Sequence, residues 1–170
     1  MKKILILLVF SALSISLYAQ QIIKMEREIQ LILDKWHLAA AHTDFETYFG
    51  LMSPSSVFIG TDATEHWNYT AFKAFAKPYF DKGKAWSFTA VERHIYVSVD
   101  SSLAWFDELL STQMKICRGS GVMKKYGNDW KIEQYVLSMT IPNSLSNEVT
   151  QLKTKEEDEL LKQLSVKENK

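Results

Sequence analysis

The 170-residue chain holds one cysteine, three prolines and six glycines, and its charges show no excess of either sign. Each shortage excludes something. A lone thiol, Cys117, cannot close an internal disulfide, so the fold must rest on its core, which this length can supply. Twenty basic residues against twenty acidic ones leave no basic stripe for nucleic acid and no field to draw in a strongly charged partner. None of the four histidines, His37, His42, His66 and His94, stands at metal-ligand spacing from another. Asp62, Glu65 and His66 would need their loop to fold back on itself to make a ligand set. Neither metal nor cofactor is expected. Gly119-Ser120-Gly121 falls inside a strand pattern, where the glycines let the sheet bend or another backbone approach, and it is no phosphate cradle.

Long hydrophobic runs are scarce too. The one at the start, residues 4–15, is broken only by Ser11 and Ser14, follows Lys2 and Lys3, and leads to Leu17-Tyr18-Ala19. That is the pattern of a secretory leader, residues 1–19, cleaved after Ala19. The run is shorter than the ~20 residues of a membrane-spanning helix. The expectation is an exported protein, periplasmic or secreted, with no membrane attachment once the leader is gone. A retained anchor is the alternative, since Leu17 is bulky for its place.

What the chain does have is apolar surface: 46% hydrophobic and 12% aromatic residues. Ile22, Met25, Ile29, Ile32, Trp36 and Ala39 recur at three- and four-residue steps, predicting an amphipathic helix. Thr43 and Glu46 have capping-box spacing, so a short second helix should begin at Asp44, carry Phe45, Tyr48, Phe49 and Met52 inward, and end at Ser53-Pro54-Ser55. Val57-Phe58-Ile59 reads as a short strand. Asn68 can cap a third helix over 69–81, with Phe72, Phe75, Ala76 and Tyr79 buried, Pro78 loosening its last turn and Gly83 at its exit. From Ala85 the period becomes two, with strands expected at 86–97, 102–115, 116–126 and 130–141. Helices first and an antiparallel sheet after make the class α+β. Residues 144–170 read as a weakly amphipathic C-terminal helix and tail laid against the outside of the domain.

Several segments in this order carry a resemblance: Gly60-Thr61-Asp62, Glu65-His66-Trp67, Ala104 to Glu108, Arg118 to Val122, and the closing stretch from Trp130 to Asn143. Together they resemble the SnoaL-like branch of the nuclear-transport-factor-2-like superfamily. The resemblance implies one domain over 20–143: a conical barrel, a curved antiparallel sheet wrapped around about three N-terminal helices, with a ligand pocket inside. It also implies a homodimer paired through the outer sheet face. Catalytic members of the superfamily move a proton with a carboxylate or histidine near the cone mouth. In SnoaL-like relatives the position matching Val136 is often histidine, and valine cannot exchange a proton.

Period-two counting puts Trp130, Ile132, Gln134, Val136 and Ser138 on the inner face of the last strand, and Lys131, Glu133, Tyr135 and Leu137 outside. Gln134 and Ser138 would then orient a ligand or satisfy their neighbours. Asp62 is either a base desolvated by Trp67 and Phe72 or, as its Gly-Thr-Asp setting favours, a turn former. Trp105 and Asp107 are assigned to the interior, with Arg118 as the partner of Asp107 in a salt bridge or in ligand recognition. Trp36, Trp67, Phe72, Trp105, Arg118, Gln134 and Ser138 are the ligand-binding candidates, and Asp62 and Asp107 the catalytic ones. The reading is an exported domain binding a small, mostly apolar molecule. Its rivals are a proton-transferring isomerase, hydratase or dehydratase, and a protein-interaction module.

Overall fold

The computed structural model describes residues 2–168, with side chains from 17 to 166. The expected leader, residues 1–19, falls almost wholly outside the described side chains. Contacts divide the chain into two compact units, Met1–Met139 and Thr140–Lys170. Among the described residues, no helix is long and apolar enough to cross a membrane.

The first unit runs α1 (Lys2–Ala41), α2 (Phe45–Gly50), β1 (Met52–Ile59), β2 (His66–Asn68), α3 (Tyr69–Asp81), β3 (Phe88–Val97), β4 (Leu103–Thr112), β5 (Lys115–Tyr126) and β6 (Asp129–Met139). Its six strands form one curved, unclosed sheet in the order β2-β1-β6-β5-β4-β3. All neighbours are antiparallel except β1 and β6, which run parallel. Three helices before the sheet's long meander give the expected α+β cone. In the second unit a short 3-10 turn (Asn143–Leu145) leads into α4 (Ser146–Glu168).

Local signals explain most boundaries. Asn68 accepts the Ala71 N–H at 2.9 Å and starts α3, whose helix tolerates Pro78 near its end and leaves through Gly83 at φ 66°. The cap of α2 is Asp44, which accepts the Thr47 N–H at 3.0 Å, and not Thr43, whose φ of 55° lies in the left-handed region. Ser53-Pro54-Ser55 does not terminate anything; it lies inside β1. On α3 the buried stripe is Phe72, Ala76 and Phe80, spaced four apart, while Phe75 and Tyr79 are exposed.

Two bulges set which side chains face the helices. On β3 the register shifts between Ala90 and Glu92, leaving Val91 as an extra residue. On β6, Ile132 pairs with Met123 and Gln134 with Val122, so Glu133 is extra. The inner face of β6 is therefore Trp130 and Ile132 before the bulge, Tyr135 and Leu137 after it. This corrects the expected register: Gln134 and Ser138 are exposed, and Val136 points with them away from the core.

Candidate functional site

The core of the first unit contains a carboxylate. Along β4, Ala104, Phe106, Glu108 and Leu110 are the inward side chains, so Glu108, not Asp107, enters the interior, with no solvent exposure. Three groups meet it. His37 Nε2 on α1 lies 2.8 Å from Oε1, the Tyr135 hydroxyl donates to the same oxygen at 2.8 Å, and Arg93 Nε donates to Oε2 at 2.8 Å. A carboxylate only accepts, so the His37 proton sits on Nε2. Arg93 stands directly opposite Glu108 in the β3–β4 ladder and also donates to Asp34 at 2.7 Å. Burial alone would push the Glu108 carboxyl up; the hydrogen bonds and attraction of His37 and Arg93 carry it below its ordinary value. Tyr135 goes the other way, raised well above its ordinary value by burial first and then by the adjacent carboxylate, so it stays a donor. The ring reaches Glu108 because residue 119 is glycine: a Cβ there would overlap the Tyr135 hydroxyl.

Beyond this network lies an open pocket of about 130 Å³. Phe58, Trp67, Phe72, Phe75, Trp86 and Phe88 supply its rings, Met114 and Leu137 add apolar surface, and Thr61, Glu65 and Gln113 add polar groups. Phe58 stacks on Phe72 at 4.0 Å and on Tyr135 at 5.6 Å, and Phe88 lies edge-on to His37 at 5.9 Å. The pocket floor thus rests on the rings of the buried network. Glu108 itself does not line it.

Of the ligand-binding candidates, Trp67 and Phe72 line this pocket. Trp36 is core, stacked on Tyr48 at 4.8 Å and edge-on to Tyr135. Trp105, Asp107, Arg118, Gln134 and Ser138 come together, but on the outer face of the sheet. There Trp105, 51% exposed, stacks on Tyr96 at 5.8 Å. Asp107 meets His94 at 3.2 Å and Arg118 at 4.0 Å, so the expected pair exists at the surface and not in the cone. Asp62 is exposed, accepts from the Thr64 N–H and hydroxyl, and is lowered by those bonds, as a turn former is. Among the described residues, no group of three His, Cys, Asp or Glu converges as a metal site.

Trp86, one of the surplus rings in the sequence that suit either a core or an apolar pocket, also lines the pocket. Sequence reasoning missed Glu65 and Phe75 as pocket residues, and the His37–Glu108–Tyr135–Arg93 network. The network had one readable signal, the strict alternation of Ala104, Phe106, Glu108 and Leu110.

An open six-stranded sheet curved over three helices, with an aromatic pocket between the sheet and α3, defines a nuclear-transport-factor-2-like α+β fold. The model of the SnoaL-like domain matches residues 29–142, and the chain belongs to that family. No curated protein matches it. Among solved structures it is similar to an NTF2-like protein of unknown function from Pseudomonas putida KT2440, at 13% identity and a TM-score of 0.61, over 71% of this chain and 89% of that one. It is also similar to a candidate scytalone dehydratase from Novosphingobium aromaticivorans, at 12% identity and a TM-score of 0.60, over 70% of this chain and 86% of that one. A cystatin-like-fold domain of unknown function from Nostoc punctiforme shares 16% identity at a TM-score of 0.60, over 85% of this chain and 97% of that one. At these identities the likeness is one of fold.

Proposed function

We propose that this domain is an exported binding protein that holds a small, mostly apolar molecule in the pocket of Trp67, Phe72, Phe75 and Trp86. The observation that carries this reading is a pocket rich in rings and poor in proton-active groups. Among the described residues, Glu65 is the one ionisable side chain lining it. General acid–base catalysis requires a group to take a proton and another to stabilise the charge that develops. Asp62 and Asp107 are both outside the pocket, and Glu108 is saturated by donors behind a layer of rings. The dehydratase-like neighbour therefore lends its fold to the argument and not its chemistry. The volume suits one ring: an engineered apolar cavity of about 150 Å³ admits benzene.

Export is supported by the basic-then-apolar start, and cleavage after Ala19 removes no described side chain that is buried, since the first of those is Met25. A homodimer through the outer sheet face is supported by the exposed Tyr96–Trp105 stack.

Calorimetric titration with single-ring aromatic compounds tests the reading. Binding is expected, with Trp67→Ala weakening it about tenfold through lost ring contact and Trp105→Ala leaving it unchanged. Equal losses from both variants would place the site elsewhere.

A further inference from the structure

The pocket carries one formal charge, and the protein leaves it unbalanced. Glu65 is half-buried at the pocket wall, where its Oε2 accepts the Asp62 N–H at 3.2 Å. Among the described residues, no lysine, arginine or histidine lies within ion-pair distance of it. The buried Glu108, by contrast, has both His37 and Arg93. The rings beside Glu65 form a parallel series: Phe75 on Trp67 at 4.5 Å, Trp67 on Phe72 at 5.7 Å, and Phe72 on Trp86 at 5.9 Å. These rings stack on one another and form an apolar wall, and an unpaired carboxylate set in such a wall makes a pocket that repels anions and rewards cations. The protein's own ring-covering lysines, Lys73, Lys77, Lys124 and Lys125, sit over Phe45, Phe49, Tyr69, Tyr126 and Trp130, none of which lines the pocket.

We infer that the pocket selects a small organic cation, an ammonium group on a single ring or an alkyl body of similar bulk, with Glu65 as its counter-ion. The inference rests on the binding reading above and sharpens it to a ligand class. Gly60 belongs to the same device. Its N–H donates to the Glu65 carbonyl at 2.9 Å, and a Cβ on it would overlap the Glu65 carboxylate, so glycine leaves the space in which that carboxylate sits.

Titration of the full chain with benzylammonium and with benzyl alcohol, its neutral counterpart of equal size, separates the two readings. Wild-type protein should bind benzylammonium about tenfold tighter than benzyl alcohol. Glu65→Gln, which keeps the acceptor for Asp62, should abolish that preference and bring the two affinities together. Gly60→Ala, which keeps the charge but displaces it, should reduce the preference as well, with thermal melting checking that both variants fold. Equal affinities in the wild type, or a preference that survives Glu65→Gln, would overturn the cation assignment while the aromatic pocket stands. Binding of neither compound would overturn both.

Discussion

Burying Glu108 removes a carboxylate from water completely, and the chain offsets this with three donors drawn from α1, β3 and β6. Removing its charge would leave the buried Arg93 with Asp34 as its remaining carboxylate and His37 with none. Glu108→Gln should therefore destabilise the fold by about 3–5 kcal/mol, measured by chemical denaturation at neutral pH. The sign of the pH dependence follows from the lowered Glu108 value. Its stabilisation is full above the carboxyl's unfolded value, and is lost as pH falls through the lower folded one. The variant should thus show a flatter acid-side stability curve than wild type; parallel curves would remove Glu108 from the acid response. The sequence displayed this residue plainly, but charged side chains are almost never fully buried unless paired. The sequence reading places Asp107 inward with Arg118 as its partner, whereas the partner that makes Glu108 tolerable is Arg93, fifteen residues away on another strand.

At the scale of strands and helices, the cap and exit of α3 were legible, while the ends of α2 and the faces of the strands were not. Asn68 and Gly83 announce α3 through short-range bonds that a sequence shows directly. A bulge has no such signature: Val91 and Glu133 look like ordinary members of an alternating run, and each extra residue swaps every later side chain to the other face. Glu133 is held in place by Ser55 at 2.7 Å and Tyr126 at 2.9 Å, and β1 shifts register opposite it. The corrected faces make a direct comparison. Leu137→Asp should cost about 3 kcal/mol by leaving a carboxylate in the core, whereas Val136→Asp should cost under about 1 kcal/mol. Melting curves of the two variants decide it, and the reverse order would restore unbroken period-two counting.

For the molecule as a whole, the outer sheet face explains why the β4–β6 candidates looked like a site without lining the pocket. Tyr96, Trp105, Val122 and Gln134 form one cross-strand row, and His94, Asp107, Ser120 and Val136 the next. An apolar stripe flanked by an ion cluster is the composition of an interface, with aromatic anchors inside and charge at the rim. A two-fold pairing would bring each stripe onto its own copy, as isologous contacts require. Native mass spectrometry of protein recovered from its own host reads this and export together. The expected species is a dimer of chains beginning at Gln20, and Trp105→Glu should yield monomers that melt as wild type does, because half of Trp105 is already in water. Monomeric wild-type protein would leave the stripe without its second copy, and a chain still beginning at Met1 would end the case for a cleaved leader.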